Sequence, residues 1–368
     1  MLNTEFILSV AAHFDLGGTP VCVKELTAGN INVTYRLDMG EDKASLRYVL
    51  QRINTSAFKD PVSLMENVGM VTAHIRRSYE AEGIDPARRV LSFVQADNGT
   101  LLYQDSEGGA WRCYVYVDNV TAYDAIESAA LFREAGVGFG EFQTRLSDFP
   151  AARLTETIPG FHNTARRFET FMTSVEKDAA GRAASVAEEI AFFTSRKALM
   201  SSIVDRLGGE LPLRVTHNDT KLNNVLIDNE SGKALCVIDL DTVMPGSALY
   251  DYGDAVRYGA CTAAEDEPDT SKIGFDMELF RAFTEGFVSA TAGNLTDTEI
   301  RLLPLGIAVI TCELAMRFMT DYLDGDVYFK TAYEGHNLVR ARAQMKLLTE
   351  VEAKMEEMYA FVEGLLNK

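Results

Sequence analysis

The residues best suited to chemistry lie between His217 and Asp239. His217, Asp219 and Asn224 form the pattern H-x-D-x-x-x-x-N, and Asp239 follows at the end of an apolar run. A carboxylate can orient a hydroxyl group and take its proton, while an amide oxygen and a second carboxylate are hard ligands suited to Mg²⁺. One base with two cation ligands is the arrangement that transfers a phosphoryl group from a nucleotide. The spacing therefore predicts phosphoryl transfer, with Asp219 as base and with Asn224 and Asp239 as Mg²⁺ ligands.

A β-hairpin must bring Asp239 back toward the first cation ligand. Residues 224–228 predict a strand, residues 229–233 supply turn residues including a glycine, and residues 234–238 predict an apolar return strand. Asp241 is the rival ligand, but it lies beyond the strand, so Asp239 is preferred.

Other residues of this tract have supporting roles. Lys221 stands two positions after Asp219, within reach of the transferring phosphoryl group. Asp251 is predicted to be structural. It would either cap a helix that begins near Asp254 or accept backbone N–H groups of the catalytic loop.

A second candidate site lies in the loop of residues 28–32, between the first two predicted strands. Gly29 allows the backbone N–H groups to approach phosphates, and Asn32 and Thr34 could add side-chain donors. The alternative is an ordinary hairpin turn.

Composition limits the possible partners. The chain has 368 residues, and its 35 Lys and Arg against 54 Asp and Glu leave a net charge of −19. This balance argues against nucleic acid and against an anionic membrane surface, because both need a basic surface. The five cysteines include no C-x-x-C pair, the N-terminus lacks a basic signal-peptide region, and no run of 18 apolar residues occurs. These features predict a cytoplasmic protein.

Hydrophobic periodicity divides the chain into two parts. Residues 1–119 predict a β-rich nucleotide-binding lobe, with a short N-terminal helix, a helix at 61–77, and strands at 21–27, 33–39, 46–53, 90–93, 101–103 and 111–117. Residues 120–368 predict a mostly helical catalytic and acceptor-binding lobe, with helices at 129–146, 187–207, 277–290, 298–323 and 338–366. A hinge near Asn119 would leave the nucleotide in a cleft.

Several motifs together resemble a known family. THNDTKLNN, IDLDT-x-MPGS and D-x-GD-x-x-R-x-GA are similar to the aminoglycoside phosphotransferase and choline kinase-like family, which shares the protein kinase fold. MRF-x-x-DYL-x-GDVYF (residues 316–329) and HNLVR (residues 336–340) more narrowly resemble the N-acetylhexosamine 1-kinases. The resemblance implies an α+β, two-lobed fold with a small antiparallel β-rich N-lobe. It also implies transfer from ATP, with Mg²⁺, to the anomeric 1-hydroxyl of N-acetylglucosamine or N-acetylgalactosamine.

The resemblance also implies nucleotide contacts. The family uses a cation on the third strand, where this chain has Arg52, and pairs it with a glutamate of the next helix, here Glu66. Lys43 and Lys59 are alternative cations, and a surface ion pair is the alternative role for Arg52. The segment from Tyr116 to Asp118 would be the hinge that bonds the adenine edge.

On the acceptor side, the resemblance points to Arg317 and Tyr328. A charge among apolar neighbours is costly unless it is paired, so the alternative for Arg317 is a structural pair with Asp321. The alternative for Tyr328 is a place in the core.

Three rival functions follow from the same residues. The first is a kinase for an aminoglycoside, choline or a related amino alcohol. The second is nucleotide binding without catalysis, which the presence of the base and both ligands disfavours. The third is a protein kinase, but Pro245 follows Asp239 closely and leaves little room for an activation segment. The expected partners are ATP and a small molecule, and no oligomeric state is predicted.

Overall fold

The computed structural model describes residues 2–27, 31–40, 46–291 and 293–367. The chain forms two compact units. Unit 1 consists of Met1–Ala122, Arg153–Pro159 and Val225–Met244, and unit 2 of Tyr123–Ala152, Gly160–Asn224 and Pro245–Lys368. This division assigns residues 225–244 to unit 1, whereas the sequence-based boundary at residues 119 and 120 leaves them in the second lobe.

Unit 1 is built on an antiparallel sheet with the strand order β1-β2-β3-β6-β4, and β5 also pairs with β6. Its elements are α1 (Thr4–Ala11), β1 (Pro20–Leu26), β2 (Val33–Met39), β3 (Arg47–Ile53), α2 (Pro61–Ala81), β4 (Phe93–Val94), β5 (Tyr103–Gln104) and β6 (Ala110–Val115). The first three predicted strands are confirmed to within one residue at each end. Helix α2 starts as its sequence indicates, because Asp60 accepts the N–H of Ser63 at 3.0 Å and Pro61 occupies the first turn.

Alternation along β3 sends its side chains to two faces of the sheet. Tyr48 and Leu50 belong to a buried apolar cluster with Trp111 and residues of α1. Gln51 points to the opposite face. Arg52, two positions after Leu50, shares the α1 face with it.

The predicted hairpin is confirmed within unit 1. Strands β9 (Val225–Asp228) and β10 (Ala234–Val237) pair antiparallel, and β9 also pairs with β7 (Val120–Thr121). Gly232 supplies the positive φ of the turn, at 68°. Asp228 Oδ2 accepts the backbone N–H and the hydroxyl of Ser231 at 3.0 and 2.8 Å, which stabilises the turn locally.

Unit 2 is mostly helical. Its elements are α3 (Ala129–Arg145), α4 (Thr164–Lys177), α5 (Ala187–Thr194), α6 (Lys197–Ser201), β8 (Arg214–Thr216), α7 (Ala248–Gly259), α8 (Met277–Ala290), α9 (Asp297–Arg301), α10 (Leu303–Asp324) and α11 (His336–Leu366), and β11 (Met244–Gly246) precedes α7. The predicted helices that correspond to α3, α8 and α11 are confirmed. The predicted helix 187–207 is interrupted after α5, and the predicted helix 298–323 divides at Leu302. A proline in the first turn of α10 explains the second break, because proline favours a helix start.

Helix α10 is the one segment of the described residues long and apolar enough to span a membrane, a candidate that the sequence-based expectation missed. However, 78% of its most apolar window is buried inside the protein. It packs against α4, α7 and α11, as a core helix of unit 2.

Candidate active site

Buried neighbours hold the loop that carries Asp219. The loop follows β8, and Asn218 adopts a left-handed conformation with φ at 65°, which asparagine tolerates better than most residues. The buried His217 ring lies edge-on to Phe139 and Phe142, at centroid distances of 5.6 and 5.8 Å. Its Nδ1 accepts the N–H of Asp219 at 3.2 Å. His217 therefore shapes the loop from inside unit 2.

Asp251 of α7 holds the backbone of the same loop. Its buried carboxylate accepts the N–H groups of His217 and Asn218, both at 2.8 Å, and the side-chain amide of Gln143 at 3.1 Å. Burial raises the pKa of Asp251, although His217 and the two N–H groups act in the opposite direction. The predicted backbone-accepting role is confirmed. The alternative role as a helix cap is wrong, because Ser247 caps α7.

Asp219 has two predicted neighbours within unit 2. Lys221 Nζ lies 2.6 Å from Asp219 Oδ1. Asn224 Nδ2 donates to the backbone carbonyl of Asp219 at 2.7 Å and to its Oδ2 at 3.2 Å. Since the amide nitrogen is turned toward Asp219, the carbonyl oxygen Oδ1 of Asn224 is the atom suited to a hard cation. A proton acceptor, a cation and an oxygen ligand therefore lie together on this loop.

Asp239 and Asp241 follow β10 in unit 1. Asp239 has a left-handed backbone, with φ at 59°. Asp241 is buried, and its Oδ2 accepts the amide N–H of Asn32 at 2.6 Å. Its Oδ1 accepts from Nη1 of Arg112, which forms a buried ion pair. Among the described residues, no group of three or more His, Cys, Asp or Glu side chains could hold a metal ion unaided.

The structure does not bring Arg52 and Glu66 together as the resemblance implied. The Arg52 guanidinium lies 5.8 Å from the centroid of the Trp111 ring, on the α1 face of the sheet. Asp105, which accepts from the Trp111 indole, is its charged neighbour there. Glu66 is exposed on α2, while the preceding Met65 packs toward Arg112. The two side chains are separated because Arg52 points to the face of the sheet that packs against α1, whereas α2 packs on the opposite face.

The proposed adenine hinge is an ordered connection in unit 1. The N–H of Tyr116 donates to the carbonyl of Arg47 at 2.9 Å, and Arg47 pairs with Asp118 at 3.0 Å. The Arg88 guanidinium donates to the carbonyl of Asp118 at 2.9 Å. Gly29 lies outside the described residues, so its predicted phosphate contact stays a prediction.

Arg317 lies among aromatic rings in unit 2. Its guanidinium is within 6 Å of the rings of Phe161, Tyr328 and Phe329. Asp321, the alternative partner, instead accepts the backbone N–H groups of residues 327–329 at 2.7 to 2.9 Å. Asp321 thus folds the loop after α10 rather than neutralising Arg317. Tyr328 is 72% exposed, so the alternative that placed it in the core is wrong.

Sequence reasoning missed a charged cluster beside these rings. Glu313 of α10 is buried and lies 2.7 Å from Nδ1 of His162 and 3.5 Å from Nε of Arg167. Burial alone would raise the pKa of Glu313, but His162, Arg317 and Arg167 outweigh it and lower that pKa. A glutamate within an apolar helix was the available signal, because such a charge needs partners.

Arg112 was also missed. It stands in the middle of β6, a strand that otherwise consists mostly of apolar and aromatic residues, and it is buried against Asp241. A charged residue inside an apolar strand was the signal, but its partner lies 129 positions away in the sequence.

The comparisons with known proteins agree with this architecture. A family model described as the phosphotransferase enzyme family, APH, matches residues 23–276. A microcompartment-associated aminopropanol kinase is similar with a TM-score of 0.61 and 15% identity, covering 97% of this chain and 98% of the other. An aminoglycoside phosphotransferase from Alicyclobacillus acidocaldarius is similar with a TM-score of 0.57 and 13% identity, covering 97% of each chain.

A spectinomycin phosphotransferase, solved with ADP and spectinomycin, is similar with a TM-score of 0.52 and 14% identity, covering 94% of this chain and 99% of the other. At such low identities these likenesses show the fold. They confirm the predicted kinase-like α+β class, with an antiparallel N-terminal sheet and a helical C-terminal region. The family model covers more than half of the sequence and includes the Asp219 loop and the hairpin, so the chain belongs to the phosphotransferase enzyme family.

Proposed function

We propose that this protein is an ATP-dependent, Mg²⁺-dependent kinase that phosphorylates a hydroxyl group of a small molecule. The observation that carries the proposal is the cluster of Asp219, Lys221 and Asn224 on a loop that Asp251 holds by its backbone. Phosphoryl transfer depends mainly on alignment and charge neutralisation, and this cluster offers both to an acceptor hydroxyl.

The residues divide the work as follows. Asp219 orients the acceptor hydroxyl and takes its proton while the acceptor oxygen bonds to the γ-phosphorus and the bond to the ADP oxygen breaks. Lys221 faces the transferred group and limits the build-up of negative charge. Asn224 and Asp239 would hold Mg²⁺ through their side-chain oxygens, because Mg²⁺ prefers oxygen ligands and commonly binds protein carboxylates together with phosphate oxygens. The bound ion would neutralise the phosphate charge.

The nucleotide contacts are part of the same proposal. Gly29 and Asn32 would approach the phosphates, and the segment from Tyr116 to Asp118 would bond the adenine edge. Arg52 and Glu66 are the contacts that the family resemblance implies, and their separate positions make them the part of this set that most needs a direct test. The free state of all five cysteines supports a cytoplasmic location.

For the acceptor, we propose the anomeric 1-hydroxyl of N-acetylglucosamine or N-acetylgalactosamine. The GDVYF motif that resembles the N-acetylhexosamine 1-kinases supports this choice, and so does the grouping of Arg317 with Phe161 and Tyr328. Aromatic faces with a nearby hydrogen-bond donor suit a neutral sugar. The second candidate is an amino alcohol or aminoglycoside, because the family description leaves the acceptor open.

One acceptor panel tests both candidates. ADP release would be measured with ATP, Mg²⁺ and each of N-acetylglucosamine, N-acetylgalactosamine, choline and kanamycin, with Asp219→Asn protein as the control for contaminating kinases. We expect turnover with at least one amino sugar, and ³¹P–¹H NMR should place the phosphate on C1. Turnover with choline or kanamycin alone would select the second candidate. Stoichiometric ATP binding without turnover on any acceptor would favour nucleotide binding without catalysis.

A further inference from the structure

The polar residues of the sheet in unit 1 can be sorted by the two faces of that sheet. Thr34 of β2, Gln51 of β3 and Arg112 of β6 lie side by side across three strands. Gln51 joins the other two, because its Nε2 donates to Thr34 at 3.0 Å and its Oε1 accepts from Arg112 Nε at 2.9 Å. Asp241 meets Arg112 on this face. The β3 residue that contacts Arg112 on this face is therefore a neutral glutamine.

Arg112 supplies the positive charge on that face. Its side chain is 3% exposed, and its contacts use Nε for Gln51 and Nη1 for Asp241 and the Met65 sulfur. Among the described residues, Nη2 has no hydrogen-bond partner. A guanidinium carries five N–H donors in a fixed plane, so Nη2 is suited to bind a further anion while the other nitrogens keep their contacts.

The surroundings of Arg112 point to phosphate as that anion. Asp241 also accepts from Asn32, and Asn32 Oδ1 accepts the N–H of Asn54 at 3.0 Å, so the network reaches the end of the predicted phosphate loop. Burial would lower the pKa of Arg112, but Asp241 outweighs it, with a smaller contribution from Asp239, and the guanidinium stays charged. The Arg112 guanidinium thus lies near the carboxylates of both Asp239 and Asp241.

We propose that Arg112, and not Arg52, is the cation that binds the phosphates of the nucleotide, and that Asp241 and Gln51 position its guanidinium. The inference rests on the proposed use of ATP. It places the phosphate cation on β6, one strand away from the β3 position that the family resemblance implied. A planar guanidinium can hold the Asp241 carboxylate and a phosphate at the same time, which a lysine point charge does less well.

The test compares ligands that differ only in phosphate. Affinities for Mg·ADP and for adenosine would be measured by calorimetric titration of the wild-type protein and of Arg112→Gln, Arg112→Lys and Arg52→Gln. Loss of a charge-assisted hydrogen bond should weaken ADP binding by about 10- to 100-fold in Arg112→Gln, with adenosine binding unchanged. Arg112→Lys should lose less, and Arg52→Gln should match the wild-type ratio of the two affinities.

The ratio separates a phosphate contact from a structural role, because misfolding of the pocket would weaken both ligands alike. If Arg112→Gln fails to fold, Arg112→Lys retains the buried charge and decides the question by the same ratio, expected to fall by about threefold or more. An unchanged ratio in the Arg112 variant that folds, or an equal fall in Arg52→Gln, overturns the inference. Wild-type protein that binds neither ligand would contradict the proposed function itself, and with it this assignment.

Discussion

At the scale of single residues, two residues of the H-x-D to Asp239 tract stand out by their backbone conformation. Asn218 and Asp239 both have positive φ, at 65° and 59°. Non-glycine residues seldom adopt this region, and they keep it when surrounding contacts impose it. For Asn218 the imposing contact is the hydrogen bond from its N–H to Asp251. The backbone on either side of Asn218 therefore sets the direction of Asp219.

Asp219→Asn tests the proposed base. The amide retains the shape of the side chain but cannot take the hydroxyl proton, so we expect kcat to fall by about 10² to 10⁴. Mg·ADP affinity should change little. Steady-state kinetics and nucleotide titration check the two parts, and undiminished turnover would mean that the base is another residue.

Asp251→Asn tests the support of the loop rather than its chemistry. One carboxylate oxygen becomes an NH₂ group that faces either the His217 or the Asn218 N–H, so one buried donor loses its acceptor at a cost of about 1–3 kcal/mol. We expect a lower unfolding midpoint together with a lower kcat.

Asp205→Asn is the matched control for Asp251→Asn, since Asp205 is an exposed carboxylate of the same unit. Its kcat and unfolding midpoint should equal those of the wild type. Wild-type kcat in Asp251→Asn would show that the loop keeps its shape without this carboxylate.

At the scale of elements, glycines bring α3 and α8 into close contact. A Cβ atom on Gly286 of α8 would lie 2.1 Å from the carbonyl oxygen of Arg133, and one on Gly136 of α3 would lie 2.3 Å from that of Phe283. Each helix therefore presents a glycine to the backbone of the other. The nearby α3 residues Phe139 and Phe142 contact His217, so this packing also supports the Asp219 loop.

Gly286→Ala should therefore destabilise the protein, although alanine is the better helix former. The inserted methyl group collides with backbone that cannot rotate away, and such overpacking costs about 1–3 kcal/mol. Urea unfolding of Gly364→Ala provides the control, because a Cβ on that α11 glycine meets nothing within 4 Å. The control should be as stable as the wild type or more stable by up to about 1 kcal/mol. Equal stabilities of the two variants would contradict the close packing.

At the scale of the whole molecule, the net charge of −19 is the dominant electrostatic feature. Such an excess repels itself in the folded state, and salt screens that repulsion over distances of about 8–10 Å at physiological ionic strength. We expect the thermal unfolding midpoint to rise between about 0.02 and 0.3 M NaCl. Matched KCl solutions control for specific ion effects, and a midpoint that falls steadily with either salt would contradict the expectation.

Local features of the site could be predicted from the sequence. The H-x-D-x-x-x-x-N loop, the turn with Gly232 and the return strand before Asp239 lie within one short tract. Residue types and spacing were enough to predict them, since hairpin pairing and turn preference act over a few positions. Periodicity over longer windows predicted a β-rich part followed by a helical part, and the resemblance to a known family supplied the fold class. The sequence did not predict where helices break, as between α5 and α6, because tertiary packing overrides helix propensity at such positions.

Only the tertiary structure decided which charges meet. A strand reverses its face with every residue, so choosing Arg52 or Gln51 required knowing which phase of β3 meets α1. The partnership of Arg112 with Asp241 spans 129 positions, and that of His162 with Glu313 spans 151. The sequence by itself determined which residues are candidates for the site and the hairpin that leads to Asp239, because these depend on residue types and on contacts between near neighbours. Folding determined the partners of the buried charges, because burial rewards pairing at any separation along the chain.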